Sequence, residues 1–380
     1  MTLARDELER GPVRTIDATA LFPPLAQLDY WRTGVRQAVR RHVTGFVTER
    51  CVPQLSGTNV DIAGDVLVDF VGGGKCLRST FMYLGWLCGS DGDPDADMAA
   101  LRASAGLELL HAFALLQDDV MDNSPLRRNR PSAHVRFGRW HRERHLSGSS
   151  SRFGASLAVL LSDLCLVWAD QMMRESGVAP GALMLAWPHY DAMRVELAIG
   201  QAADVANDAV TMPDLDTVLD VARRKSGNYT VRRPLEIGAA MSGRADLIGP
   251  LGGYGSLVGE AFQLRDDILG VFGSPEVTGK PAGGDLVERK ATSVVVAAHR
   301  MAERSVRAEF DEFMRAAVLS GADVQRWRGL IVATGAVDYI EDLIGRRVAA
   351  ALEHIEDRRI DGAVRGALAG MAAVCTTRVT

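Results

Sequence analysis

The sequence predicts an all-α protein. Apolar residues recur at helical spacing in long stretches, leucine and alanine outnumber β-branched residues inside them, and no run alternates as a half-buried strand would. An extended N-terminal arm comes first: residues 1–26 are mixed in character and carry Pro12, Pro23 and Pro24, which disfavour helix before them. Helical periodicity then covers 30–51, 59–71, 75–90, 97–122, 154–175, 181–209, 214–241, 245–272, 290–320, 323–354 and 361–376. Breaks fall at Gly72-Gly73-Gly74, at Ser90-Asp91-Gly92-Asp93-Pro94, at Ser147-Gly148-Ser149-Ser150-Ser151, and from Gly273 to Gly284. The Ser147 to Ser151 segment reads as an exposed flexible connection, near enough in sequence to a run of arginines to serve as a lid. Each break is short and none separates core-sized units, so residues 27–380 read as a single domain.

Composition narrows the function classes. The chain has 380 residues and 47% hydrophobic content, enough for a sizeable core. A net charge of −5 and a pI of about 5.9 leave no overall basic surface for nucleic acid or anionic lipid, so any anion site must be a local cluster. Met1 to Arg14 is charged throughout, unlike a secretory leader, and no unbroken apolar run reaches the roughly 18–20 residues that span a bilayer. A cytoplasmic protein without transmembrane segments is expected. Cys51, Cys76, Cys88, Cys165 and Cys375 lack paired metal-ligand spacing and read as reduced thiols.

Two aspartate clusters stand out. Asp118-Asp119-Val120-Met121-Asp122 follows the apolar stretch Leu107 to Leu116, and Asp266-Asp267-Ile268-Leu269-Gly270 follows Leu257 to Leu264, so both ride on helices. There Asp118 and Asp122 stand one turn apart on one face, where like charges repel by about 0.2–0.5 kcal/mol. The placement needs a cation, and Mg2+ suits it because it takes one or two carboxylates along with water and phosphate oxygens. Alone, such a triple is more often a solvated helix face. The arginines that follow change the balance: Leu126-Arg127-Arg128-Asn129-Arg130-Pro131 puts three guanidiniums within eight residues of Asp122. Their forks match phosphate oxygens, and pairing with the aspartates is the plainer alternative.

Gly72-Gly73-Gly74-Lys75-Cys76-Leu77-Arg78 adds a glycine-rich basic turn leading into a helix expected to begin near Lys75. Backbone N–H groups and two cations make an anion site there, although a helix-end turn with two solvated cations has the same sequence. The spacing is not that of a nucleotide-binding P-loop, which disfavours nucleotides.

The ordered set Gly73-Gly74-Lys75-x-x-Arg78, Asp118-Asp119-x-x-Asp122 with Arg127-Arg128, Gly200-Gln201-x-x-Asp204, Lys225-Ser226 and Phe262-Gln263-x-x-Asp266-Asp267 resembles the trans-isoprenyl diphosphate synthases. Thr278-Gly279-Lys280-Pro281 to Asp285 and Lys290-Ala291-Thr292 look like the lysine-bearing loop after that family's second aspartate motif. The likeness runs over roughly residues 60 to 300 and is particularly close to short-chain members. It implies the isoprenoid synthase fold, an antiparallel helix bundle around a central apolar cavity, and a homodimer. It also implies that Asp118, Asp122 and Asp266 bind Mg2+ bridging an allylic diphosphate, supported by Asp119 and Asp267. Arg127, Lys225 and Lys280 match positions that hold that diphosphate, with Gln263, Asp285 and Lys290 nearby. Lys75, Arg78, His111 and Arg128 match a separate, metal-free pocket for isopentenyl diphosphate.

The implied reaction ionises the allylic diphosphate, adds the isopentenyl double bond to the cation and loses a proton, with departing pyrophosphate as the acceptor. The fifth and fourth positions before the first aspartate floor the tail pocket in this family; here they are Phe113 and Ala114, which points to geranylgeranyl diphosphate, with farnesyl diphosphate close behind. The chain departs from the family pattern at Cys76, Ser79, Gln117, Ser226 and Gly270, the last removing the third acid of the second cluster. Two readings from other classes compete. A class I terpene cyclase would need a second metal motif, and the nearest string, Asn207 to Thr211, has Leu215 where its glutamate belongs. A non-catalytic synthase subunit would bind prenyl diphosphates without turnover.

Overall fold

Asp93 and Pro94 open the helix on which the rest is arranged. The Asp93 carboxylate accepts a hydrogen bond from the Asp95 backbone N–H at 3.1 Å, and proline sits in the first turn, where its missing N–H costs nothing. This helix is α5 (Pro94–Met121); α1 (Leu25–Phe46), α2 (Val52–Leu55), α3 (Ala63–Val71) and α4 (Leu77–Leu87) precede it. After it come α6 (Ala133–Glu143), α7 (Ser150–Arg174), α8 (Pro180–Asp208), α9 (Leu215–Ala222), α10 (Arg233–Met241) and α11 (Ile248–Phe272). The C-terminal part adds α12 (Gly284–Val287), α13 (Ser293–Met301), α14 (Arg304–Arg315), α15 (Gly321–Ala333), α16 (Ala336–His354) and α17 (Gly362–Thr376). The computed structural model describes residues 25–208, 212–273 and 283–377. Of the N-terminal arm only Leu25 and Ala26 are described, and they already belong to α1.

Leu101, Leu107, Leu109, Leu110 and Leu116 of α5 are all fully buried although they cannot share one face, so the helix is enclosed on nearly every side. α7 lies along it, and α4 and α1 flank it. The main core cluster gathers residues of α1, α3, α4, α5, α7, α8, α10 and α17, and a second cluster forms around α11 and α13 to α16. α4 and α10 pack backbone to backbone: a Cβ added at Gly238 would overlap the Met82 carbonyl, and one at Gly85 would overlap that of Leu235. Only glycine permits so close a crossing.

Several elements differ from the sequence expectation. The stretch 214–241 is continuous, but α9 and α10 are joined by a π-helical segment, Arg223–Arg232. The stretch 290–320 begins its helix at Ser293 and breaks where Ala302 turns extended; 323–354 breaks at Gly335, whose φ of 76° ends α15. α6 escaped the periodicity because arginines and histidines interrupt its stripe, yet Phe137, Trp140 and His141 are buried, and Trp140 stacks on Phe153 at 5.8 Å. Ser147 to Ser149 are an exposed connection as expected, but α7 already begins at Ser150: Ser149 caps it by accepting from Arg152 N–H, and His141 holds the Ser147 carbonyl at 3.0 Å. A two-stranded hairpin pairs Leu126–Arg127 with Pro131–Arg130, and Arg128 and Asn129 turn it with φ of 52° and 59°. Two consecutive left-handed residues are the geometry of a type I′ turn.

The five cysteines are all buried. By length and average hydropathy, α5 and α7 do reach what a bilayer span requires, because scattered polar residues interrupt their apolar runs without lowering the mean enough. For α5, 72% of the apolar window is buried against other helices; for α7, 39% is.

The α4–α10 contact yields a stability prediction. Gly238→Ala should destabilise the fold by about 1–3 kcal/mol or more through forced separation of the two helices. Chemical denaturation of the purified variant measures it, and an unchanged midpoint would mean that the crossing tolerates a side chain.

Candidate active site

Asp118 and Asp119 lie in the last turn of α5, and Asp122 caps its C-terminus. A helix C-terminus already carries partial negative charge, so three carboxylates there require cations nearby. These arrive from three other segments. Arg127, on the first strand of the hairpin, donates through Nε to Asp119 at 2.8 Å and through Nη2 to Asp118 at 3.1 Å. Lys225 Nζ lies 2.5 Å from Asp204 and 3.3 Å from Asp118. Lys290 Nζ reaches Asp122 at 2.7 Å and Glu288 at 3.2 Å.

The electrostatics follow the geometry. Burial disfavours an ionised Asp118, but Lys225, Arg127 and Lys290 outweigh it and hold its pKa below the usual carboxylate range. At Asp119 burial wins and the pKa rises, although Arg127 binds one oxygen; the other, Oδ2, is buried without a hydrogen-bond partner. Burial also opposes the Lys290 ammonium, yet Asp122, Glu288 and Asp285 drive its pKa up.

Lys225 owes its place to the π-helical segment. A Cβ at Gly200 of α8 would lie 2.6 Å from the Lys225 backbone nitrogen, so the small residue lets the two backbones touch. One turn later on α8, Asp204 receives the ammonium. The spacing Gly200-x-x-x-Asp204 thus seats and neutralises one lysine.

On α11 the two aspartates divide the work. Asp267 is buried and accepts from the Ser293 backbone N–H at 3.0 Å, from Ser293 Oγ at 2.6 Å and from Gln263 Nε2 at 2.8 Å. The two bonds from Ser293 tie α11 to the start of α13, just after Lys290, while Gln263 holds the Asp267 carboxylate from within α11. Asp266 is half-buried on the same helix. Sequence alone leaves the cluster without a third acid, because Gly270 stands in its place. The structure brings the Asp285 carboxylate from α12 against Gly270, where any added Cβ would overlap it.

A second cationic group forms at the start of α4. Cys76, with φ of 51°, turns the chain into the helix, which begins at Leu77 rather than at Lys75. Lys75 is exposed on this turn. The Arg78 guanidinium lies 4.2 Å from the centre of the Tyr229 ring, a cation–π contact. Arg128 donates to the Phe70 carbonyl at 3.1 Å and lies against Gly73 and Gly74. His111, 6.3 Å from the Tyr229 ring, has a buried Nδ1 without a partner; burial first, then Arg78, Arg128 and Arg127, push its pKa well down and keep it neutral. Glu108, one turn before His111, is buried and accepts from Ser79 Oγ at 2.8 Å.

The structure therefore brings together Asp118, Asp122, Arg127, Lys225 and Lys290, and separately Arg78, His111 and Arg128 beside Lys75. Phe113 and Ala114 are partly buried on α5 against the main core. Lys280 lies outside the described residues, as do residues 209–211 of the string weighed as a cyclase motif. Sequence reasoning gave no role to Asp204, which it quoted, or to Glu108, detectable as a charge inside an apolar stretch. Tyr229 carried no signal.

Among the described residues, no three His, Cys, Asp or Glu side chains close into a metal cage. Asp118 and Asp122 instead offer hard oxygen donors already facing cations, and Asp119 keeps one oxygen unsatisfied. This donor set fits Mg2+ that brings phosphate oxygens and water with it.

The polyprenyl synthetase family profile matches residues 61–328. A geranylfarnesyl diphosphate synthase of Aeropyrum pernix is 31% identical over 273 residues, 71% of this chain and 79% of that protein. A geranylgeranyl diphosphate synthase of Mycobacterium tuberculosis is 31% identical over 290 residues, 75% of each chain. The crystal structure of a geranylgeranyl pyrophosphate synthase from Corynebacterium glutamicum, complexed with isoprenyl diphosphate and magnesium, superposes with a TM-score of 0.84 at 32% identity, covering 91% of this chain and 99% of that one. With the aspartate clusters, their lysine and arginine partners and the all-α bundle already in place, these matches make the chain a member of the polyprenyl synthetase family and a prenyltransferase.

Proposed function

We propose that this enzyme condenses isopentenyl diphosphate with an allylic diphosphate, head to tail and in trans, giving geranylgeranyl diphosphate or, next in order, farnesyl diphosphate. The observation that carries the reading is the separation of two adjacent arginines. Arg127 turns to the carboxylates of α5, while Arg128 turns to the glycine turn and the pocket of Arg78 and His111. One hairpin thereby serves two neighbouring anion sites, one rich in carboxylates and suited to a metal-bound diphosphate, the other cationic and suited to a bare one.

In this reading Asp118, Asp122 and Asp266 hold Mg2+, with Asp285 beside Gly270 as a further carboxylate. Bound there, Mg2+ would neutralise charge developing on the leaving diphosphate. Arg127, Lys225 and Lys290 are already fixed by carboxylate partners, so they face that charge without reorganising. Lys75, Arg78 and Arg128 orient the second diphosphate, and neutral His111 offers it a hydrogen bond without added charge. Phe113 and Ala114 wall the path of the growing tail along α5, and the apolar surroundings keep water from the carbocation.

A homodimer and a cytoplasmic location belong to the same proposal. Leu160, Leu164 and Val167 on α7 and Val195 and Ile199 on α8 are exposed at three- and four-residue spacings, so each helix presents an apolar stripe that a second copy would cover.

Product analysis tests the reading: the purified chain with Mg2+, labelled isopentenyl diphosphate and dimethylallyl, geranyl or farnesyl diphosphate in turn should yield a twenty-carbon diphosphate. Hydrocarbon or alcohol formed without isopentenyl consumption would indicate a cyclase, and no turnover with any primer a non-catalytic subunit. Asp118→Asn should lower kcat by about 100-fold or more, since it removes a carboxylate at the charge-developing centre; activity within a few fold of the parent would remove Asp118 from that centre. Phe113→Ala should lengthen the product, and an unchanged product distribution on chromatography would show that Phe113 is not the floor. Gly270→Ala should displace Asp285 and raise the Mg2+ concentration giving half-maximal rate; an unshifted Mg2+ titration would show that Asp285 takes no part.

A further inference from the structure

Helix α1 carries Arg32, Arg36 and Arg40, one turn apart from each other along a single face. Like charges so spaced repel, and each of the three has its Nε buried without a hydrogen-bond partner. Arg32 pairs with Asp29 at 3.0 Å. Among the described residues Arg36 makes no hydrogen bond or ion pair, and Arg40 donates to the Gly74 carbonyl at 2.7 Å. Gly74 belongs to the glycine turn against which the Arg128 guanidinium rests.

Arg36 and Arg40 both act on the buried thiol of Cys76, two residues beyond Gly74, and Arg40, Arg78 and Arg128 all act on Glu108 beneath it. Three guanidiniums thus gather about one buried carboxylate, and a fourth, Arg36, faces the thiol beside it. Partly buried like charges of this kind are held at a cost in stability unless an anion completes them. The anion must be multiply charged to satisfy several forks, as a diphosphate is.

We propose that α1 forms part of the metal-free diphosphate pocket, with Arg36 as an anion ligand and Arg40 as the positioning residue for the glycine turn. The inference rests on the reading of Lys75, Arg78, His111 and Arg128 as that pocket. It adds to those positions a wall supplied by a helix preceding the motif-bearing part of the chain. Arg40, by holding the Gly74 carbonyl, fixes the turn that presents Lys75 and Arg78. Arg36, one turn away, adds a guanidinium that no carboxylate holds among the described residues.

The test uses the full chain and inorganic pyrophosphate in buffer with a metal chelator, so that only the metal-free pocket is read. Calorimetric titration should show about tenfold weaker binding for Arg36→Gln than for the parent, with partial recovery in Arg36→Lys. In steady-state assays the KM for isopentenyl diphosphate should rise by a similar factor, while kcat and the KM for the allylic diphosphate stay put. Arg40→Gln should produce the same split and Arg40→Lys should restore it, which a merely structural role would not. Unchanged pyrophosphate affinity in Arg36→Gln, or equal rises in both KM values, would overturn the proposal. A parent protein that binds pyrophosphate through Arg36 but consumes no isopentenyl diphosphate would instead overturn the synthase reading and leave the anion site standing.

Discussion

Three carboxylates at the C-terminal end of a buried apolar helix are the constraint on which the rest of this molecule depends. α5 is enclosed along most of its length, and at its end Asp119 is fully buried while Asp118 and Asp122 are largely covered. Removing one partner of a buried ion pair typically costs about 3–5 kcal/mol, several times what a surface pair contributes. Folding must therefore deliver cations to Asp118, Asp119 and Asp122, and it does so from a hairpin, a π-helical segment and the loop before α13. The Lys290–Asp122 contact spans 168 residues of sequence. The same contacts that make the fold tolerable leave cations and hard oxygens aimed at one another, the arrangement a metal-bound diphosphate would enter.

Unusual backbone appears where the chain must aim these charges. The hairpin turn at Arg128 and Asn129 takes two left-handed residues to send neighbouring arginines to different sites. The segment Arg223–Arg232 abandons α-helical spacing just where Lys225 meets α8, and Gly200 gives it room. Cys76 enters α4 in a left-handed conformation, directly beneath the glycine turn. Such geometry costs free energy and persists where surrounding contacts determine it.

The two aspartate clusters look alike in sequence and differ in structure. In the first, both Asp118 and Asp122 face cations. In the second, Asp267 is spent on Ser293 and Gln263, and a carboxylate from another helix, Asp285, fills the space beside Gly270. Where one motif lacks its third acid, a carboxylate from a different element thus stands alongside, a neighbour that motif counting does not reveal.

The all-α class, the order of the long helices and the separation of acidic from basic motifs were legible in the sequence because they depend on local spacing. The period of apolar residues, the glycine and proline breaks and the one-turn interval from Asp118 to Asp122 are properties of the chain read along its length. What tertiary structure alone decided is which charges meet: that Arg127 and Arg128 part company, that Asp204 partners Lys225, that Glu108 sits among arginines, and that α1 brings Arg40 to the glycine turn. Local periodicity shows which face a residue occupies. The partner on that face is set by packing between segments far apart in sequence, and the chemistry of this site depends on those partners.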